Sequence, residues 1–352
     1  MANSMVQLDK EENKEMMIIW QDIVRDTMEM AKNLITPDVA DWIEKMLQYT
    51  VPGGKKIRSL TLIYAYKSLV SKDQLTEDNI RLVRILAWCV ELMQASLIVI
   101  EDIQNQSLLR RGQPCWYRCN DIDKAAINDY ILLQNTIYYI LQKYFKDKEC
   151  YVSLVETFQE ALFMTVMGQY LDFFSTELSK RPNLDLFTMD RYSSIVEYKE
   201  SHYSVILPVV VAMHLAGIKD LNMFKQANVI LLDIGHLFQV QIDYLNCFGD
   251  SDVYGKDSTD IQKGKCTWLI VAALLRATSE QRKVLKECYG ILDPQKIKRV
   301  KQIFIDLDLP NAYNMYKEHM YNVINGRIEQ ISCELPHSLF LNLLEKLYHQ
   351  SS

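Results

Sequence analysis

The sequence contains few of the residues that interrupt helices. Only 11 glycines and 8 prolines occur in 352 residues, below ordinary usage of about 7% and 5%. Long stretches contain neither residue, and this pattern predicts long helices. The chain has no internal repeat, no low-complexity tract and no linker long enough to divide it. We predict an all-α protein, with a flexible N-terminus over residues 1–14 and one large helical domain over residues 15–350.

The chain also lacks an excess of positive charge and any paired-cysteine motif. Its formal net charge is −6, and no basic region stands out, so we expect no nucleic-acid partner. The eight cysteines form no CxxC pair, and several lie in apolar runs. Reduced core thiols are therefore favoured over a disulfide framework. The polar, acidic N-terminus resembles neither a signal peptide nor a transit peptide, so we expect a cytoplasmic protein.

One long apolar run carries an ordered set of polar residues. Residues 85–100 are apolar except Glu91, Gln94 and Ser96. This run is too short and too polar for a transmembrane segment, so it predicts a buried helix and no membrane span. The polar positions and their successors share one helical face: Glu91, Gln94, Ile98, Glu101 and Asn105. A buried helix with such a stripe usually lines a cavity, because unpaired buried polar groups are costly.

Acidic residues at the end of this run precede two arginines. Glu101 and Asp102 are followed by Arg110 and Arg111. This order suggests a metal ion held by carboxylates and a phosphate held by the metal and the guanidinium groups together. The alternative is a helix end with ordinary surface ion pairs, and this stretch alone leaves both open.

Two further stretches show related patterns. In residues 235–250, polar residues again share one face of a predicted helix: His236, Gln239, Asp243, Asn246 and Asp250. His236 by itself is better explained as a hydrogen-bonded core histidine than as a ligand. Residues 53–58, GGKKIR, combine a flexible turn with three cations before a helix, which favours an anion. A basic surface turn is the simpler explanation of that stretch alone.

The order and spacing of these motifs resemble those of the farnesyl diphosphate synthase family. The resemblance covers roughly residues 40–348 and rests on GGKKIR, ELMQA, EDIQN, LLRRGQPCWY, GQYLDF, EYK, FQVQIDYLNCFGD and KGKCTW. It implies an all-helical isoprenoid synthase fold around a deep central cavity, usually in a homodimer. It also implies prenyl diphosphate substrates and Mg²⁺ as the cofactor.

The resemblance assigns roles to individual residues. Those that match the family's isopentenyl diphosphate site are Lys55, Arg58, Gln94 and Arg111. Those that match its contacts to the allylic diphosphate are Arg110, Lys199, Lys256 and Lys265. We add Gln239 to the expected substrate contacts, and expect Lys199, Lys256 and Asp243 to take part in catalysis. The expected metal ligands are Glu101, Asp102, Asn105 and Asp243.

Both acidic motifs depart from the family pattern DDxxD. The first reads Glu101-Asp102-Ile103-Gln104-Asn105, and the second reads Ile242-Asp243-Tyr244-Leu245-Asn246. Magnesium prefers anionic oxygen ligands, whereas asparagine offers a neutral oxygen and isoleucine offers none. We therefore expect weaker magnesium binding than in typical family members.

The floor of the implied cavity also differs. Ser96 and Leu97 occupy positions where relatives often carry a pair of phenylalanines, so we expect a deeper cavity. The alternative is that Ser96 hydrogen-bonds a carbonyl of its own helix.

These departures leave three hypotheses for function. The first is a terpene synthase that ionises farnesyl or geranylgeranyl diphosphate and then cyclises it or eliminates a proton. The altered motifs and the enlarged cavity favour it. The second is a prenyltransferase that still condenses isopentenyl diphosphate with an allylic diphosphate, which the preserved isopentenyl site favours. The third is a non-catalytic paralogue that binds prenyl diphosphates, which the altered metal positions favour.

Overall fold

Helices make up most of the structure. The computed structural model describes residues 2–32, 36–119, 122–176, 182–249, 259–332 and 334–348. Outside the helices, these residues include a two-stranded antiparallel ribbon with two residues in each strand. The predicted all-α class is confirmed. Contacts divide the chain into two compact units, residues 1–160 with 207–220 and residues 161–206 with 221–352. The single-domain organisation stays a prediction.

The first unit contains α1 to α5, residues 151–160 of α6, and α8. The bounds are α1 Ala2–Lys32, α2 Pro37–Thr50, α3 Ile57–Leu69, α4 Glu77–Gln104, α5 Ala126–Phe145, α6 Tyr151–Thr176 and α8 Leu207–Leu215. The ribbon, β1 Leu109–Arg110 and β2 Gln113–Pro114, follows α4. Pro52 and the two glycines after it separate α2 from α3, as their helix-breaking character predicts.

Helix α4 forms the core of the first unit, where it packs against α1, α3, α5 and α8. The Thr76 hydroxyl accepts a hydrogen bond from the Asn79 backbone N–H, and Glu77 and Asp78 lie in the first turn, where the helix dipole favours acids. Of the helices described, α4 is long and apolar enough to cross a membrane, but 72% of its most apolar window is buried within the protein. Such burial is typical of a core helix.

The second unit contains residues 161–176 of α6 and the remaining helices. Their bounds are α7 Met189–Ile195, α9 Leu221–Phe248, α10 Asp260–Lys263, α11 Trp268–Arg276, α12 Ser279–Cys288, α13 Pro294–Asp306, α14 Leu309–Gln330 and α15 His337–Tyr348. Helix α9 packs against α10, α11, α14, α15 and the segment 196–206. That segment, Val196–Ile206, is a π-helix of 11 residues, a geometry that often marks a functional site.

One acidic residue of the N-terminal segment makes ion pairs with the first unit. Helix α1 begins at Ala2, and Glu12 within it is only 7% exposed. Its carboxylate is paired with Lys67 at 2.7 Å and with Arg84 at 2.6 Å. Two cations from α3 and α4 therefore hold an acid that the sequence alone places in a polar tail. The flexibility of residues 1–14 stays a prediction.

Candidate functional site

The double-glycine turn of the first unit supports the side chain of Arg111. A Cβ atom added to Gly53 would lie 2.4 Å from Arg111 Nη1, and one added to Gly54 would lie 3.1 Å from its Cζ. The guanidinium group therefore lies directly against the turn, and only glycine permits this approach. Gly54 also has φ +90°, which favours glycine for a second reason. Sequence reasoning placed Arg111 and this turn in one site, and the structure brings them together.

Arg110 is held by the acids at the end of α4. Its Nε lies 3.2 Å from each carboxylate oxygen of Asp102, and its Nη2 lies 3.7 Å from Glu101 Oε2. Burial would lower the pKa of Arg110, but these carboxylates outweigh that effect and raise it. Asp102 is 2% exposed. The two acids predicted as metal ligands thus act here as partners of an arginine.

A buried lysine, Lys56, lies beneath the turn. Its amine donates to the Pro52 carbonyl oxygen and lies 5.4 Å from the centroid of the Trp88 ring. Burial lowers the pKa of Lys56, the charge of Arg111 lowers it further, and the charge of Glu91 opposes both. Glu91 is itself buried and accepts a hydrogen bond from Ser59. Sequence reasoning left Lys56 out of the predicted contacts, since the neighbouring Lys55 matched the family position.

A cavity of about 260 Å³ lies beside these groups in the first unit. Its lining comes from the end of α2, the glycine turn, one face of α4 and the ribbon: Tyr49, Thr50, Gly53, Gly54, Ala95, Ile98, Val99, Asp102, Arg110, Arg111, Gln113, Pro114 and Trp116. Partial removal from water lowers the pKa of Arg111. The charge of Glu91 raises this pKa, whereas repulsion from Arg110 and Arg58 lowers it further. The charges of three arginines therefore act on one region, which suits an anion.

Other predicted contacts lie near this region with less definite roles. Lys55 is exposed and Arg58 is half-buried. The Oε1 atom of Gln94 is buried and receives no hydrogen bond from the residues described. Asn105 follows the last residue of α4, and its backbone N–H donates to the Glu101 carbonyl at 2.8 Å.

The proposed cavity floor is tightly packed at Ser96. This residue has no exposed surface, and its hydroxyl donates to the Met93 carbonyl oxygen at 2.8 Å. The hydrogen bond within its own helix, weighed above as an alternative, is therefore present. Leu97 is half-buried. A role for Ser96 and Leu97 in setting chain length stays a prediction.

One buried carboxylate anchors the segment that follows the two arginines. Asp129 of α5 is 4% exposed and accepts hydrogen bonds from two indole groups. Trp42 Nε1 lies 2.9 Å from its Oδ1, and Trp116 Nε1 lies 2.7 Å from its Oδ2. Sequence reasoning missed this cluster because its members lie on three separate elements.

In the second unit, Asp172 lies between two predicted phosphate contacts. Lys199 Nζ lies 2.6 Å and Lys265 Nζ 3.0 Å from Asp172 Oδ2. Burial alone would raise the pKa of Asp172, but the two lysine charges hold it far below its usual range. Gly168 permits this arrangement, since a Cβ atom there would lie 2.2 Å from the Lys199 backbone nitrogen. Lys256 lies outside the described residues.

The second acidic motif makes contacts inside its own unit. Asp243 Oδ1 accepts from Gln239 Nε2 at 2.8 Å, and Oδ2 accepts from the Trp268 backbone N–H at 2.8 Å. Burial raises the pKa of Asp243 to about 7, and the charge of Asp260 adds to this, while the hydrogen bonds oppose it. Asn246 donates to Asp260 Oδ2 at 3.0 Å. Ile242, half-buried, offers no ligand atom.

His236 is hydrogen-bonded within the core of the second unit. Its Nδ1 lies 2.9 Å from Tyr316 Oη, and its Nε2 lies 3.4 Å from Ser193 Oγ. Burial lowers the pKa of His236 and so favours the neutral imidazole. These contacts agree with a core histidine rather than a ligand.

The described residues fit a magnesium ion poorly. Within the described parts of the chain, no three histidine, cysteine, aspartate or glutamate side chains form a group that could hold a metal. Of the four predicted ligands, Asp102 is bound to Arg110, Asp243 has both oxygens engaged, and Asn105 offers only a neutral oxygen. Magnesium binding by Glu101, Asp102, Asn105 and Asp243 stays a prediction.

Comparisons with known proteins agree on one family. A model of the polyprenyl synthetase family matches residues 40–307. The chain is 48% identical over 341 residues to a farnesyl pyrophosphate synthase of Murgantia histrionica, covering 97% of this chain and 83% of that protein. It is 40% identical over 340 residues to the farnesyl pyrophosphate synthase of Gallus gallus, covering 96% and 92%. A crystal structure of T. brucei farnesyl diphosphate synthase matches with a TM-score of 0.88 and 29% identity, covering 96% and 99%.

Proposed function

Because the chain belongs to the polyprenyl synthetase family, we propose that it is a prenyltransferase that condenses isopentenyl diphosphate with an allylic prenyl diphosphate. The observation that carries this proposal is the packing of the Arg111 side chain against the Gly53-Gly54 turn, beside a cavity that Arg110 also lines. A protein that only ionised one prenyl diphosphate would have no use for a second anion site. The isoprenoid synthase fold and the names of the relatives support the same reaction class.

The proposed reaction makes one carbon–carbon bond. The C–O bond of the allylic diphosphate breaks, and the leaving diphosphate carries away the bonding electrons. The terminal alkene carbon of isopentenyl diphosphate attacks the allylic carbon, and a proton is then lost to restore a double bond. Positively charged groups stabilise the charge that develops on the leaving group.

The side chains of this protein supply charge for both substrates. In this proposal Arg111 holds the diphosphate of isopentenyl diphosphate, while Lys199 and Lys265 donate to the leaving diphosphate. Both lysines are paired with Asp172, which fixes their amines close together before an anion arrives. Since Asp172 neutralises part of their charge, a diphosphate must compete with it for these hydrogen bonds.

A terpene synthase remains the second candidate, and one observation favours it. Ile242 and Asn246 replace two acids of the second motif, and the remaining Asp243 has both oxygens engaged. A changed metal site is compatible with ionisation that is not followed by elongation. A related plant enzyme, the bifunctional chrysanthemol synthase of Tanacetum cinerariifolium, is 41% identical over 311 residues, covering 88% of this chain and 78% of that protein. Family members therefore include proteins whose names denote other products.

Product analysis separates these functions. Purified protein is incubated with geranyl, farnesyl or geranylgeranyl diphosphate, each with and without isopentenyl diphosphate, and products are identified by mass spectrometry. The proposal expects a product one isoprene unit longer, formed only with isopentenyl diphosphate. Hydrocarbon or alcohol products that do not require isopentenyl diphosphate would instead establish the terpene synthase. Binding without turnover would establish the non-catalytic paralogue.

A matched pair of arginine variants ties the activity to the site. Arg111→Gln should raise the KM for isopentenyl diphosphate at least tenfold, because a charge-assisted contact of about 1.5–3 kcal/mol is lost. Arg118→Gln is the control, since Arg118 is not among the described residues that line this cavity, contacts the Tyr117 ring and donates to the Ser107 carbonyl. Equal effects in both variants would remove Arg111 from the proposed site.

We also propose that the protein forms a homodimer. Large apolar side chains are exposed on α5, where Ile127 is 41% and Ile131 48% exposed. Within the second unit, Phe163 and Tyr170 of α6 are 61% and 54% exposed. Exposed apolar surface of this kind is typical of subunit interfaces. Sedimentation equilibrium should give about twice the monomer mass, and a monomer mass at micromolar concentration would contradict the proposal.

A further inference from the structure

The second acidic motif of this chain faces a neighbouring segment that carries two lysines. We name residues 259–268 the lysine segment, since it contains Lys263 and Lys265. Asp243 binds the end of this segment through the Trp268 N–H, and Asn246 binds its beginning through Asp260. The two contacts therefore lie near the two ends of the segment. Ile242, which with Asn246 is one of the two altered positions of this motif, has no hydrogen-bonding atom in its side chain.

Asp243 has the geometry of a helix cap. Helix α11 begins at Trp268, and the first N–H groups of a helix have no partners within it. Thr267, the adjacent residue, accepts from the Ile270 N–H at 3.4 Å, while Asp243 accepts from the Trp268 N–H at 2.8 Å. A carboxylate is favoured at this position by the free donors and by the helix dipole. The remaining oxygen of Asp243 is occupied by Gln239.

Further hydrogen bonds fix the backbone of the lysine segment. The Lys265 backbone N–H donates to the Asp260 carbonyl at 3.0 Å, and the Tyr289 hydroxyl donates to the Lys265 carbonyl at 2.6 Å. The Lys265 amine reaches Asp172. Lys265 therefore depends on a backbone that is fixed at Asp260 before it and at Trp268 after it, which are the two places that the motif contacts.

We propose that Asp243 and Asn246 serve in this chain to hold the lysine segment, and that Asp243 is a positioning residue for Lys265 rather than a metal ligand. A magnesium ligand needs an oxygen lone pair directed at the ion. Asp243 is 4% exposed and each of its oxygens already accepts a hydrogen bond, so a metal would have to reach a remaining lone pair of a buried carboxylate or displace the Trp268 N–H or Gln239. Displacement of the Trp268 N–H would leave an unpaired donor at the start of a buried helix, which is costly.

Two substitutions of Asp243 distinguish the roles. Asp243→Asn keeps an oxygen for the Trp268 N–H, and Gln239 can rotate its amide to accept from the new NH₂ group. Asp243→Ala removes both contacts. Asparagine is a poor replacement for a carboxylate on magnesium, so a metal ligand would be lost in both variants. Asp233→Asn is the control, since Asp233 lies on the same helix and pairs with Arg327.

The first measurement is amide hydrogen exchange over residues 263–272 of the full-length protein without ligand. The Trp268 amide should exchange at least tenfold faster in Asp243→Ala, and near the wild-type rate in Asp243→Asn and in the Asp233→Asn control. Unchanged exchange in Asp243→Ala would overturn the proposal. This arm does not depend on the proposed reaction, so its failure and that of the prenyltransferase assignment are separate results.

The second measurement tests whether Asp243 acts through Lys265. Inorganic pyrophosphate is titrated calorimetrically at several MgCl₂ concentrations. Asp243→Ala should weaken pyrophosphate binding about tenfold in the wild-type background, and by less than about twofold in a Lys265→Ala background, because residues that act as a unit are not additive. The MgCl₂ concentration for half-maximal binding should stay within about twofold of wild type in each Asp243 variant. A marked rise of that concentration in Asp243→Asn would show a metal ligand and refute the proposal.

Discussion

Gly53→Ala gives the sharpest test of the anion site in the first unit. The new methyl group would lie 2.4 Å from Arg111 Nη1 and 3.0 Å from its Cδ, which is closer than van der Waals contact permits. The atoms that must move belong to a flexible side chain, so the fold itself need not change. The substitution should therefore displace the guanidinium group while leaving the protein folded.

The expected magnitudes differ for binding and stability. Loss of a charge-assisted contact of about 1.5–3 kcal/mol corresponds to roughly 10- to 150-fold in affinity. Backbone strain is not expected at Gly53, because its φ lies outside the left-handed region. At such positions alanine stabilises by about 0.4–1 kcal/mol through the unfolded chain. Gly54→Ala should lower the stability of the fold more than Gly53→Ala, since φ +90° adds backbone strain of roughly 1–2 kcal/mol.

The assay is calorimetric titration with isopentenyl diphosphate, accompanied by thermal unfolding of the same samples. Gly326→Ala is the matched control, because a Cβ atom there meets nothing within 4 Å. We expect Gly53→Ala to melt near the wild-type temperature and to bind at least tenfold more weakly. Wild-type affinity in a folded Gly53→Ala variant would refute the assignment of Arg111 to the site.

Substitutions at Arg110, Asp172 and Ile242 each change the charge of a predicted binding region. Arg110→Ala should lower the free energy of unfolding by about 3–5 kcal/mol, since it leaves Asp102 buried without its partner, and should weaken prenyl diphosphate binding at least tenfold; urea unfolding and calorimetry measure both. The pKa of Asp172 is lower in the folded protein than the value near 3.8 expected for the unfolded chain, so ionised Asp172 stabilises the fold above about pH 4 and this contribution is lost as the pH falls. The free energy of unfolding should therefore decline less steeply below pH 4 in Asp172→Asn than in the wild type. Ile242→Asp should reduce the magnesium concentration needed for pyrophosphate binding, and an unchanged requirement would mean that this position does not face a metal.

Local sequence patterns predicted the helices better than the tertiary contacts that the residues of those helices make. The helix predicted within residues 235–250 overlaps the C-terminal part of α9, Leu221–Phe248, and the polar interruptions of residues 85–100 fall on the buried helix α4. The resemblance to the family, rather than periodicity, predicted that Arg111 shares a site with the residues after the glycine turn. Periodicity identifies which face of a helix is buried. It gives no information on geometry such as the π-helix at Val196–Ile206, which depends on packing.

Contacts between distant parts of the chain account for the residues that were missed. Asp129 and Trp42 are 87 positions apart, and Asp243 and Trp268 are 25 apart. A helical pattern shows that such a carboxylate is buried, but the donor that satisfies it comes from another element. Asp243 could therefore be read equally well as a metal ligand or as a cap, and only the fold provides the N–H that it contacts.

The carboxylate of Asp129, which two indole groups share, affects the intrinsic fluorescence of the protein. Two of the five tryptophans donate to this one side chain, and their rings lie 5.9 Å apart at 69°. Trp116 also lines the cavity that contains Arg110 and Arg111. Indole emission depends on hydrogen bonding and on neighbouring charge, so a displacement of the ribbon by a bound anion would alter the intrinsic fluorescence of this pair. Trp20 and Trp88, packed 4.6 Å apart in the core, and Trp268 of the second unit contribute the rest of the tryptophan emission.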